Sequence, residues 1–138
     1  MYKPLFNDFL TSDDTLRVYE GSSLLFSSDK DRLLPLLEYI DGAALSHNEV
    51  VVFDKIMGNA AALLSIKAGC REVYSPLGSQ YAVQTLEKHS IKYTIAEVIP
   101  YILQDNGVDM CPMEKLSLDK GPEEFFRAVT STIKQEDG

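Results

Sequence analysis

Long apolar runs are missing from this chain of 138 residues, and nothing in it approaches the ~20 consecutive apolar residues that a helical membrane span needs. A membrane is therefore not an expected partner. Basic residues are scarce as well: 13 Lys and Arg stand against 21 Asp and Glu, a formal net charge of -8 spread over the whole length. Such a surface repels nucleic-acid backbones and anionic lipid, so nucleic acid is not expected to bind either. Cysteine occurs only as Cys70 and Cys111, and the N-terminal Met1-Tyr2-Lys3-Pro4-Leu5-Phe6 lacks the basic-then-apolar order of an export signal. Both observations point to free thiols in a reducing cytoplasm rather than a disulfide framework. Repeats and low-complexity tracts are absent too, and the length suits one domain spanning 1-138.

What the chain does contain is a charged switch from strand to helix. Glu49-Val50-Val51-Val52-Phe53 is apolar enough to be covered on both faces, and it runs into Asp54-Lys55-Ile56-Met57-Gly58-Asn59 and then the small-residue helix start Ala60-Ala61-Ala62. In α/β sheets the crevice beyond the carboxyl end of such a strand is where ligands sit. Two opposite charges placed there call for an explanation.

Periodicity supplies the surroundings. Leu5 to Leu10 predicts a short leading helix. Thr15 to Tyr19 and Ser23 to Phe26 alternate as strands about Glu20-Gly21-Ser22, which provides the glycine of a tight hairpin. Ser27-Ser28-Asp29 offers N-cap oxygens to a helix carrying Leu33, Leu34, Leu36, Leu37 and Ile40, with Pro35 in its first turns. Further strands are expected at Glu49 to Phe53, Glu72 to Tyr74 and Tyr93 to Val98, alternating with helices at Ala60 to Lys67 and about Ser79 to His89. Crossovers of that length favour parallel pairing. A final amphipathic helix starts at Gly121-Pro122-Glu123-Glu124. The expected fold is α/β: a five-stranded mixed sheet, opening with an antiparallel hairpin and continuing parallel, with helices on both faces.

This order, together with Asp54-Lys55-Ile56-Met57-Gly58-Asn59-Ala60-Ala61 and Cys111-Pro112-Met113-Glu114, resembles an uncharacterised prokaryotic family, domain-of-unknown-function family 1893, with a cytidine-deaminase-like fold. The resemblance covers roughly Leu16 to Leu116. It implies a three-layer sandwich whose sheet begins with a hairpin and then runs parallel. It implies no mechanism. Zinc deaminases hold their metal with a His or Cys, beside a Glu, at one helix start and two Cys at the next. Those starts here correspond to Ser27-Ser28-Asp29-Lys30 and Asp54-Lys55-Ile56-Met57-Gly58, without His or Cys; no Cys-x-x-Cys occurs, and the one His-x-Glu, His47-Asn48-Glu49, lies in the polar turn that leads into the Glu49 to Phe53 strand and not at either helix start. His47, His89, Cys70 and Cys111 have no ligand spacing, so no metal and no cofactor is expected.

The candidate residues each carry a functional and a structural reading. Backbone N-H groups around Gly58, Asn59 and Ala60 could cradle a phosphate or carboxylate, with Lys55 adding positive charge and Gly58 permitting close approach. Asp54 could hold a hydroxyl or amine, transfer protons or attack covalently. Alternatively Asp54 caps the helix and Gly58 serves close packing. Cys111 precedes Pro112 at a helix start, where a thiol gains nucleophilicity, and Glu114 follows at capping-box spacing. The pair could equally be a buried thiol and a carboxylate satisfying N-H groups. Ser75, ahead of Pro76, is expected to end a strand and line the same crevice as Asp54, or else to be a turn residue.

The function expected from these residues is binding of a small anionic metabolite or nucleotide at the Asp54-Lys55-Gly58 crevice. Lys55 and the helix amides would hold the anion, Asp54 would do any chemistry, and Cys111 with Glu114 would complete the wall. Whether catalysis occurs stays open. The rival readings are a non-catalytic regulatory or protein-interaction module on a relic enzyme fold, and a thiol-dependent enzyme centred on Cys111. An apolar sheet edge could support a homodimer.

Overall fold

A computed structural model describes residues 2–42, 49–103, 107 and 109–137. The elements follow one another as α1 (Lys3–Thr11), β1 (Leu16–Glu20), β2 (Ser23–Ser28), α2 (Leu34–Gly42), β3 (Val50–Asp54), α3 (Asn59–Lys67), β4 (Cys70–Ser79), α4 (Gln80–Lys88), β5 (Lys92–Ile99), α5 (Pro112–Ser117) and α6 (Pro122–Asp137). The five strands form one sheet in the order β2-β1-β3-β4-β5. β1 runs antiparallel to both β2 and β3, whereas β3, β4 and β5 are mutually parallel. This is the mixed α/β arrangement that the periodicity predicts.

Local chemistry accounts for the turns. Glu20 pairs with Ser23, leaving a two-residue hairpin loop, and Gly21 takes φ +60° there at no steric cost. Ser79 closes β4 and caps α4, its Oγ accepting the Ala82 N-H at 3.1 Å. β4 is much longer than the expected Glu72 to Tyr74. It continues past Pro76 because the Ser75 hydroxyl accepts the Leu77 N-H at 3.2 Å and donates to the Leu77 carbonyl at 2.8 Å, bridging the step where proline has no N-H to give. α2, by contrast, begins only at Leu34, after a turn in which Arg32 adopts φ +60°.

The sheet separates two cores, and the strict alternation along β3 sorts its residues between them. Val50 and Val52 join Leu36, Leu63, Leu64 and Phe125 in the larger core under α2, α3, α4 and α6. Val51 and Phe53 face the other way, where Tyr2, Phe6 and Phe9 of α1 and its flank cover them. Phe53 is the hub of that second core: its ring lies 5.0 Å from Tyr19, 5.2 Å from Tyr74, 5.5 Å from Phe6 and 5.7 Å from Phe9. α3 is buried from Asn59 to Ser65, which explains its run of alanines, since only small side chains let the sheet, α4 and α6 close around one helix.

Phe53→Ala is expected to destabilise the domain by roughly 3–5 kcal/mol, because no neighbouring side chain can fill the space left among five rings. Urea unfolding with tyrosine fluorescence measures this, and a loss below about 1 kcal/mol would mean that α1 adds little to the fold.

Candidate functional site

Beyond the end of β3 lies a cleft of about 550 Å³. Three parts of the chain line it: Thr15 with the turn Asp31-Arg32-Leu33, the β3-to-α3 segment from Asp54 to Ala61, and Ile102, Leu103 and Cys111 to Glu114. Of the candidate residues it gathers Asp54, Lys55, Gly58, Ala60, Cys111 and Glu114. Asn59 and Ser75 are not among its lining residues.

Asp54 occupies the floor. It follows Val50 and Val52 on the larger-core face of β3 and is only 8% exposed. The Ile56 N-H donates to its Oδ1 at 3.2 Å, and among the described residues no cation pairs with it. Burial pushes the carboxyl up to about 7, against the smaller lowering effect of the Ile56 and Lys55 backbone N-H groups. It is therefore poised to gain or lose a proton near neutrality.

Lys55 does not act as its neighbour's partner. One residue further along an alternating strand, its side chain goes to the α1 face, where Nζ donates to the Ser12 carbonyl at 2.9 Å and sits 4.7 Å from the Phe9 ring centroid. An ammonium at a helix C-terminus meets both an acceptor lone pair and the negative end of the dipole. Lys55 is thus committed to capping α1, which corrects the expectation that it holds an anion at the α3 mouth.

That mouth is filled from within. Glu114, 2% exposed, accepts the Asn59 N-H on Oε1 at 2.6 Å and the Ile102 N-H on Oε2 at 2.5 Å, with the Ser79 hydroxyl donating to Oε1 at 3.4 Å. Of the expected cradle of Gly58, Asn59 and Ala60 amides, the Asn59 N-H is therefore already bound by a carboxylate, supplied by α5. Gly58 serves close packing: a Cβ there would lie 2.8 Å from Ile102 Cγ1 and 3.3 Å from Glu114 Oε1. The Asn59 side chain braces α3 against its neighbours instead of facing the cleft. Its Nδ2 donates to the Ser117 carbonyl at 3.2 Å and Ser117 Oγ at 3.0 Å, while the Thr85 hydroxyl donates to its Oδ1. Ser75 is fully buried in mid-strand, its hydroxyl occupied by Leu77, so it does not end a strand beside Asp54.

Cys111 is half-buried at the N-cap of α5, a helix of six residues, and lines the cleft beside Glu114. Cys70 is packed in the larger core, where burial pushes its thiol up to about 12 and leaves it inert. His47 lies outside the described residues, and among those described no group of three or more His, Cys, Asp or Glu could hold a metal ion. Sequence reasoning misses Asp31, Arg32, Ile56, Ile102 and Met113 as lining residues. Arg32 and Asp31 belong to the expected helix, and only the turn forced ahead of α2 brings them to the cleft.

Fold and cleft together define a mixed α/β domain with a concavity of ligand size at the carboxyl end of its central strand. Residues 6–133 match the family described as TM1506: Domain of unknown function (DUF1893), and the chain belongs to that family. A crystal structure of a DUF1893 family protein (TM1506) from Thermotoga maritima is similar to it, with 29% sequence identity over 94% of this chain and 88% of that one, and a TM-score of 0.85. No curated protein matches the chain. No helix among the described residues is long and apolar enough to cross a membrane.

Two consequences are measurable. Glu114→Ala strands the buried Asn59 amide and the partly buried Ile102 amide and should cost roughly 2–4 kcal/mol, with Glu114→Gln losing about half as much because one carbonyl oxygen remains. Urea unfolding gives the totals, and hydrogen exchange should quicken at those two amides first. For Asp54 the sign follows from a folded pKa above the ordinary value: the folded state binds more protons than the unfolded one. Stability contributed by the protonated group is therefore present at acid pH and lost as pH climbs from about 4 to about 7. Asp54→Asn should accordingly raise stability at pH 8 by roughly 2–4 kcal/mol, with the gain shrinking toward zero near pH 4. A gain independent of pH would show that Asp54 titrates normally.

Proposed function

We propose that this domain binds a small metabolite, with nucleosides and nucleotides the foremost class, in the cleft between the turn ahead of α2, the start of α3 and α5. The observation that carries this reading is Asp54, a carboxyl more than nine-tenths buried, without an ion-pair partner among the described residues, on the floor of a cleft of about 550 Å³. A group that is costly to ionise where it stands suits recognition or proton transfer better than structure. Leu33, Ile56, Ala60, Ile102 and Met113 line the same cleft and offer apolar walls for a ring. The Lys55 ammonium, bound to the Ser12 carbonyl, and the Asn59 amide, bound to Glu114, are not donors for an anionic part of the ligand.

The strand order supports reading the fold as cytidine-deaminase-like. In that arrangement the cleft falls between the two helix starts that carry the metal ligands in zinc deaminases. Here those starts present Asp31, Arg32, Asp54 and Gly58, residues that do not make a zinc-deaminase ligand set. Any catalysis would run through Asp54 as proton carrier, with Cys111 in the wall. The two free thiols support a reducing cytoplasm as the place of work.

Thermal-shift screening of nucleosides, nucleotides and related metabolites tests the proposal. A ligand at 100 times its Kd should stabilise the wild type by about 2.7 kcal/mol. That shift should disappear in Asp54→Asn and persist in Cys70→Ala, which lies away from the cleft. Binding that ignores Asp54→Asn would place the ligand elsewhere.

A further inference from the structure

The chemical character of the group that reaches the cleft floor follows from how the charges around it are already used. Three carboxylates line the cleft, Asp31, Asp54 and Glu114, against two cations, Arg32 and Lys55. The Lys55 ammonium is bound to the Ser12 carbonyl and the Phe9 ring on the far face of the sheet. At the start of α3 the Asn59 N-H, a donor suited to an anion, is bound to Glu114 at 2.6 Å. A phosphate or carboxylate at this depth would find the Asn59 amide and the Lys55 ammonium already bound and two acidic side chains, Asp54 and Glu114, beside it.

Asp54 offers the opposite. The Ile56 N-H donates to Oδ1 and the Lys55 N-H acts on the carboxyl more weakly, so the carboxylate, with about four lone pairs on its two oxygens, keeps acceptor capacity to spare. Two acceptors on one rigid carboxylate match two parallel N-H donors, the geometry in which a planar nitrogen cation pairs most strongly. The flanking Ile56, Ala60, Ile102 and Met113 limit water and would strengthen such a pair. On the reading that this cleft is a ligand site, we infer that the group meeting Asp54 is an amidine-type nitrogen base, a planar unit with paired N-H donors such as an amidine, a guanidine or an aminated ring nitrogen. Anionic parts of the same ligand stay off the floor.

The test uses the intact chain and small probes. Benzamidine and 2-aminopyridine are titrated against benzoate and inorganic phosphate, following the backbone amides of Ile56 and Ala60 by two-dimensional NMR in wild type and Asp54→Asn. The two nitrogen bases should move those amides in the wild type and bind at least tenfold more weakly to the variant, while benzoate and phosphate leave them unmoved. Benzoate or phosphate titrating those amides in preference to the bases would overturn the inference while keeping the cleft as a ligand site. Equal binding of the bases to wild type and variant would overturn it too. If no probe of either charge perturbs the cleft amides at millimolar concentration, both the inference and the reading beneath it fall. The comparison of oppositely charged probes on the wild type stands even if the variant is poorly folded.

Discussion

The carboxylate of Glu114 at the start of α3 is the contact on which the cleft depends. A helix start presents unsatisfied N-H groups and the positive end of a dipole, and α3 is so deeply buried that water cannot answer either demand. The chain answers it from 55 residues away, through a side chain that also takes the Ile102 N-H and the Ser79 hydroxyl. One buried group therefore joins α3, the end of β4, the segment after β5 and α5. Because Cys111 to Glu114 and Ile102 form one wall of the cleft, its shape is set by this junction. The same contact places a carboxylate of the protein on the Asn59 amide, where the residues alone suggested a ligand's anion.

The second constraint is the pleat of β3. Adjacent side chains on a strand leave on opposite faces, so Asp54 and Lys55 are neighbours in sequence and strangers in space. Lys55 finishes α1 by capping it at the Ser12 carbonyl, and Asp54 is left on the larger-core side without a cation among the described residues. Had the two side chains met, Asp54 would have been an ordinary stabilised carboxylate with a lowered pKa. Burial raises it, and their separation leaves that effect unopposed by a neighbouring charge.

Much of this was legible in the residues. Strand alternation, the Gly21 turn and the Ser79 cap yield the hairpin and the alternating elements, because each depends on contacts a few residues apart. The crevice beyond Val52-Phe53 and the presence of Cys111 and Glu114 in its wall were legible from the motifs together. The direction of Lys55 was written in the alternation, but a charged pair invites being taken as a unit. Other features were beyond local reasoning. No spacing rule connects Glu114 to the Asn59 amide, because the link exists only once the sheet brings α5 over α3. Ser75 misleads because proline usually ends an interior strand, and here its own hydroxyl carries the strand past Pro76. Arg32 misleads because helical periodicity extends through Leu33, while the chain turns at Arg32 through a left-handed conformation.

Glu114 and Asp54 are two buried acids with opposite roles, and the contrast bears on function. Glu114 is surrounded by donors, so removing it leaves amides stranded and the fold loses. Asp54 has little to hold it, so ionising it near neutral pH works against folding, and an amide of the same shape would stand there more cheaply. Proteins retain such groups where activity requires them, since stability alone would replace them. A carboxyl that weakens the fold unless something with N-H donors arrives is also one that the arriving group stabilises. On the proposed reading, the interaction that Asp54 lacks within the protein would be the source of affinity, and the Glu114 junction, by fixing one wall, would limit what is lost in reshaping the cleft.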